Sequence, residues 1–181
     1  MSASVKSSAF RTTLRHVPTP VVVVTTYAQG TPRGITIGSF TSVSLKPPLV
    51  SFNVDRTAQS HAALTESGRC AIHILDETQS AFGDHFARPD LSPDEQFRPV
   101  SYTQDAHGIP ILDGKAAVLH AQIRNQYPAG DHSIFVAEVT NITPRDHANG
   151  IVYVNRGYHA VGQELGGTAL SPVKASSNGS S

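Results

Sequence analysis

Three segments of the chain combine residue types that could do chemistry. The first is Arg33-Gly34-Ile35-Thr36-Ile37-Gly38-Ser39-Phe40-Thr41-Ser42-Val43-Ser44, which alternates apolar with hydroxyl side chains and carries two glycines. On an extended chain alternate residues face opposite sides, so Thr36 faces one way and Ser39 and Thr41 the other. Hydroxyls without competing charge, beside backbone bared by glycine, suit a flat heterocycle such as an isoalloxazine. The same pattern also describes an ordinary strand with a hydroxylated outer face. The second segment, Ser51-Phe52-Asn53-Val54-Asp55-Arg56-Thr57-Ala58-Gln59-Ser60, reads as a strand running into a helix start. Free backbone N–H groups and the helix dipole favour negative charge there, and Arg56, Thr57, Gln59 and Ser60 add side-chain donors. That suits a phosphate; a capped helix with a solvated arginine reads the same way locally. The third is Gly130-Asp131-His132, a tight turn opening a strand, where His132 is either a turn residue or a ligand contact.

Other chemistries find less support. The nine histidines are spread along the chain with no His-Glu-x-x-His or Cys/His pair, so no metal site is expected. A Ser/His/Asp hydrolase is disfavoured because Asp131 and His132 are adjacent on a strand and point apart, and no Gly-x-Ser-x-Gly turn occurs. Neither Gly-x-Gly-x-x-Gly after a strand nor a Walker-type loop is present, so a bound dinucleotide would not lie in a Rossmann crevice. Cys70 is the only cysteine, and its flanks Arg69, Ala71 and Ile72 make it a buried strand residue rather than a nucleophile. Charged residues are 15% of the chain, 14 basic against 14 acidic, with no basic block. Nucleic acid and anionic membranes are therefore not expected partners. The first ten residues lack the apolar run of a signal peptide, and the longest apolar stretch, Val21-Val22-Val23-Val24, is too short to cross a bilayer. A cytoplasmic location is the expectation.

The elements that must position these segments are mainly strands. A length of 181 residues fits one domain. Residues 1–9 and 164–181 are small and polar and are read as flexible ends around a domain spanning 10–163. Strands are expected over 21–27, 33–43, 49–54, 69–75, 115–127, 133–142, 151–154 and 158–161, from β-branched runs, alternation and turn residues. In the strand over 115–127, Leu119, Ala121 and Ile123 share one face and His120, Gln122 and Arg124 the other. Short helices are expected over 57–67, ended by Gly68, and over 76–86, opened by the capping box of Asp76 and Gln79. Residues 87–99, with three prolines, read as a surface loop. The fold class is mainly β: an antiparallel, Greek-key-like barrel, closed or nearly so, with two or three short helices.

In this order and spacing the segments resemble the flavin reductase family with the FMN-binding split barrel, the reductase components of two-component flavin-dependent monooxygenases. The resemblance is carried by Pro20 to Thr26, Gly34-Ile35-Thr36, Ser39-Phe40-Thr41-Ser42-Val43-Ser44, Pro47-Pro48-Leu49-Val50, Gly68 to Leu75, Phe86-Ala87, Gly130-Asp131-His132, Tyr153 and Gly157-Tyr158. It implies transfer of a hydride from NADH or NADPH to FMN or FAD. The reduced flavin would then go to a partner monooxygenase or another acceptor. A ferric reductase with tightly held FMN and a non-catalytic electron carrier are alternatives on the same fold. The resemblance places Gly34, Ile35, Thr36, Gly38 and Ser39, after Arg33, along the isoalloxazine. It places Asn53, Val54, Asp55, Gln59 and Ser60 at the ribityl chain and phosphate, and His85 and Phe86 at the phosphate or an adenine. His132 would contact the nicotinamide nucleotide, with Tyr158 nearby. No side chain is implied as an acid or base, and a homodimer with flavin near the subunit interface is implied. Two positions depart from the family: Gly38 stands where an amide residue is common, and His120-Ala121 where many relatives have a cysteine.

Overall fold

Four consecutive valines organise the molecule. Val21 to Val24 are each 4% exposed or less in the computed structural model, which describes residues 5–114, 117–144 and 149–163. Successive strand residues point to opposite faces. Val22 and Val24 therefore enter one core with Phe52, Ile72 and Phe135, while Val21 and Val23 enter a second with Leu75, Phe86 and Phe97. An unbroken apolar run marks a strand covered on both sides.

Among the described residues there are twelve strands: β1 (Thr19–Pro20), β2 (Val22–Ala28), β3 (Thr31–Ile37), β4 (Thr41–Leu45), β5 (Pro48–Asp55), β6 (Arg69–Ile74), β7 (Tyr102–Gln104), β8 (Pro110–Leu112), β9 (Ala117–Ala129), β10 (His132–Thr143), β11 (Ile151–Val154) and β12 (Gly157–Ala160). Seven form one antiparallel sheet in the order β3-β2-β6-β9-β10-β5-β4, and β1, β11 and β12 form a three-stranded sheet beside it. Because β3 and β4 are consecutive in the chain yet lie at opposite ends of the large sheet, the sheet must curl until its ends approach. The link through residues 38–40 can reach at most about 14 Å. The Asn53 N–H donates to the Ser39 hydroxyl at 2.8 Å, tying that link to β5. The result is a barrel split between β3 and β4. The single strand expected over 33–43 is thus two strands, broken where Gly38 and Ser39 turn the chain from one end of the sheet to the other.

The helices differ from expectation in instructive ways. α1 (Ser7–Leu14) lies where no element was expected and buries none of its residues. α2 (Gln59–Ser67) starts two residues later than expected, because the Asp55 carboxylate accepts the Thr57 N–H at 2.8 Å and hydroxyl at 2.7 Å and holds residues 55–58 as a turn. Gly68 ends it at φ 63°. A 3-10 turn (Glu77–Gln79) and α3 (Ser80–Phe86) follow the expected capping box of Asp76 and Gln79. The expected loop over 87–99 instead contains α4 (Pro93–Phe97), opened by a Ser92–Glu95 capping box with Pro93 in the first turn. Its five residues are too few for a periodic pattern, but they bury Gln96 and Phe97. Strands β7 and β8 were also not expected. Residues 1–4, the start of the strand expected at 115, and the tail from 164 lie outside the described residues.

Leu119, Ala121 and Ile123 all pack on the barrel core, as the alternation of β9 requires. Cys70 is 1% exposed in the same core, and burial pushes its thiol up to about 12, so it stays protonated. His73 is fully buried between the two faces. Its Nδ1 donates to the Val23 carbonyl and its Nε2 accepts the Leu112 N–H, each at 3.1 Å.

Candidate functional site

A cleft of about 380 Å³ opens at the start of α2. One wall is the turn into the helix, Asp55, Thr57, Ala58, Gln59 and Ser60. The opposite wall is Arg33, Gly34 and Ile35 from β3 with Phe86 at the end of α3, and Ala87, Arg88, Pro89 and Leu91 with Gln96 complete the lining. At the start of the helix the N–H groups of Gln59 and Ser60, both of which line the cleft, have no intrahelical acceptor, while that of His61 is taken by the Ala58 carbonyl at 3.0 Å. Ser60 is 6% exposed, and among the described residues its hydroxyl has no hydrogen-bond partner. Arg33 supplies a half-buried guanidinium whose pKa is lowered by desolvation. Arg88 lies on the rim and pairs with Asp90 at 3.1 Å. The Asp55 carboxylate sits below its ordinary range because the Thr57 N–H and hydroxyl bind its charged form. The pattern is an anion cradle with an apolar wall.

The expected site residues separate into groups. Arg33, Gly34, Ile35, Asp55, Gln59, Ser60 and Phe86 line this cleft together. Asn53 and Ser39 are exposed and joined to each other beside it. The Val54 side chain points into the barrel core at 1% exposure, so only its backbone is offered to a ligand. Thr36 donates its hydroxyl to the Gly83 carbonyl at 2.7 Å. His85 does not face the cleft wall directly; its Nε2 binds the Gln96 carbonyl at 2.7 Å. His132 pairs across the sheet with Asp55, and its Nδ1 is 2.7 Å from the Asp131 carboxylate. That bond draws the Asp131 pKa down. Tyr158 lies in a different cleft, with Thr36 and Gly38, on the far side of α3.

Two supporting groups escaped the sequence reading. The Gln96 side chain accepts the Gly34 N–H and donates to the Gly34 carbonyl, both at 3.0 Å. It thus satisfies the edge of β3 as a neighbouring strand would, which leaves the Gly34 backbone closed to a ligand. The Ser92–Glu95 capping pair, read above only as part of a loop, was a signal that could have found its helix, but no local signal points to its partner. The second group is His61, whose Nε2 lies 2.8 Å from Ser133 Oγ and 3.1 Å from the Gln126 amide. Burial draws its pKa down, and it fastens the start of α2 to β10 one residue from His132. Among the described residues, no three His, Cys, Asp or Glu side chains gather as a metal site, and no helix is long and apolar enough to cross a membrane.

The sequence profile of the flavin reductase-like domain matches residues 14–162. Over 152 residues the chain is 34% identical to the actinorhodin polyketide dimerase of Streptomyces coelicolor, spanning 83% of this chain and 84% of that protein. It is 36% identical over 143 residues to an NADH:FMN oxidoreductase of Rhodococcus erythropolis, spanning 78% and 73% of the two chains. Among solved structures, the Streptomyces globisporus NADH:FAD oxidoreductase in complex with NAD and FAD fragments superposes with a TM-score of 0.80 at 31% identity, covering 91% of this chain and 100% of that one.

Proposed function

The chain belongs to the flavin reductase-like domain family, and on that premise we propose that the α2 cleft holds the phosphate end of a flavin whose ring lies toward Gly38 and Ser39. The protein is an NAD(P)H-dependent flavin reductase acting on FMN or FAD. The observation that carries the placement is the buried, unpartnered Ser60 hydroxyl at the start of a nine-residue helix, facing the same space as Arg33. A phosphate would satisfy that hydroxyl and the first-turn N–H groups together, so the residues present fit the group.

When bound, the flavin supplies the hydride-accepting centre. The protein's own residues do the holding. Ile35 and Phe86 give apolar surface, Asn53 and Ser39 stiffen the turn beside the ring, and Asp55 keeps the Thr57 turn aimed into the cleft. Gln96 and Gly83, by occupying the polar groups of Gly34 and Thr36, keep β3 rigid behind the ring. His132 pairs across the sheet with Asp55 of the cleft wall and orients the nicotinamide nucleotide, its ring held by Asp131. The reduced flavin passes to an oxygenase partner, and the functional form is a homodimer. Exposed apolar side chains such as Leu45 (84%) and Tyr127 (52%) support a second copy covering the sheet.

Ser60→Asp sets a carboxylate against the phosphate and is expected to weaken FMN binding about 100-fold by fluorescence titration, while the melting temperature moves little. Unchanged FMN affinity in this variant would remove the phosphate from α2. For His132→Ala, the expected result is a fall of about tenfold in kcat/KM for the nicotinamide nucleotide, with the FMN Kd held within about twofold. Equal losses in both measurements would separate His132 from the nicotinamide. Turnover of NADH or NADPH with and without added FMN or FAD tests the activity itself.

A further inference from the structure

The second cleft, about 260 Å³, lies on the other side of α3 and is lined by Thr19, Thr36, Gly38, Asp84, Tyr153 and Tyr158, among others. Tyr153 and Tyr158 meet edge to face with centroids 5.2 Å apart. Tyr158 can lie against α3 only because residue 83 is glycine: a Cβ there would stand 2.8 Å from the Tyr158 hydroxyl. Burial together with the nearby charge of Asp84 pushes the pKa of that hydroxyl up to about 12. The phenol therefore remains a protonated donor beside an exposed carboxylate that can accept from a ligand.

The two threonine hydroxyls of the cleft are already engaged. Thr19 donates to the Tyr153 carbonyl at 3.3 Å and Thr36 to the Gly83 carbonyl at 2.7 Å. No Lys, Arg or His lines the cleft, and among the described residues Asp84 has no ion-pair partner. One open carboxylate beside an aromatic pair is a receptor for a vicinal diol next to a flat ring, and it repels an anion. Position matters as well. Gly38 lies both in this cleft and in the segment toward which the flavin ring is placed, and Ala87 lines both clefts. A nucleotide with its nicotinamide at the flavin ring can therefore extend its adenosine toward the tyrosines.

We propose that this second cleft binds the adenosine ribose of the nicotinamide nucleotide, with Asp84 accepting its 2′-hydroxyl and excluding a 2′-phosphate, so that the enzyme uses NADH in preference to NADPH. The proposal rests on the reading of the protein as a nicotinamide-dependent flavin reductase. Specificity here comes from repulsion of the wrong nucleotide as much as from attraction of the right one.

The test is calorimetric titration of the FMN-loaded protein with ADP-ribose and with 2′-phospho-ADP-ribose, neither of which can react. ADP-ribose is expected to bind at least about tenfold more tightly. In Asp84→Asn, at an exposed position, the difference should shrink to about threefold or less through tighter binding of the phosphorylated ligand. Tyr158→Phe, which removes only the hydroxyl donor beside the carboxylate, should weaken ADP-ribose about threefold without moving the FMN affinity. The NADH to NADPH ratio of kcat/KM should follow the same order across the variants. Equal affinity for the two ligands in the native protein, a ratio unmoved by Asp84→Asn, or binding of neither ligand overturns the assignment. If that happens while NADH is still oxidised in the presence of FMN, the flavin reductase reading stands and only the ribose site falls. Oxidation of neither nucleotide with either flavin sinks both.

Discussion

Acidification from pH 6.5 to pH 4 is expected to remove about 3 kcal/mol of folding stability through His73 alone. Burial holds the His73 pKa down to about 4 in the folded protein against 6.5 when unfolded. A depressed pKa means that the unfolded chain binds the extra proton across this window, so stability rises with pH. The contribution is complete above pH 6.5, falls as pH drops through the window, and is gone near pH 4. The structural cause is the pair of bonds the neutral ring makes, donating to Val23 and accepting from Leu112. Protonated Nε2 would face the Leu112 N–H donor to donor, inside a region that water does not reach. Urea midpoints measured from pH 4 to 7.5 for the native protein and for His73→Gln isolate the effect in their difference. His61, whose pKa is also lowered by burial, adds a slope of the same sign that cancels in that difference. Parallel curves for the two proteins would show that His73 is not the origin.

Gly34→Val is expected to destabilise the protein by about 3 kcal/mol. A Cβ at residue 34 would stand 2.5 and 2.6 Å from two ring atoms of Phe86. That ring cannot retreat: it is 2% exposed and packed edge to face against Phe97 at 5.4 Å and His85 at 5.3 Å. Moving β3 instead would break both bonds from Gln96 to the Gly34 backbone. Adding Phe86→Leu opens space at the clash, so the double variant should recover at least about 1 kcal/mol relative to the sum of the single changes. Chemical denaturation of the four proteins measures this coupling. Strict additivity would mean that the two residues are not in contact.

Much of the framework was legible from local pattern. The valine run, the alternation of β9, the turn residues and the Asp76 capping box identified most strands and two helices, because side-chain period and cap chemistry are properties of neighbouring residues. The buried role of Cys70 followed from its flanks in the same way. The start of α2 was also local, since the dipole and the free N–H groups belong to the helix itself, and Ser60 and Gln59 both line the cleft that opens there. Helix α4 was missed because five residues show no period, although its capping pair stood in the sequence.

Partnerships across the chain were decided by tertiary structure alone. Gln96 closes the backbone of a strand 62 residues away, His73 joins Val23 to Leu112, and His61 fastens α2 to β10. Each depends on the register and curl of the large sheet, which no local window contains. The same is true of the meeting of Tyr158 and Asp84 in one cleft, where Tyr158 of β12 lies against α3 because Gly83 leaves room. The sequence alone therefore determined that a hydroxyl-rich strand and a helix start could hold a flat anionic ligand. Closure of the barrel decided which of those groups remain free to meet it, because a polar group already paired inside the protein cannot also bind a ligand.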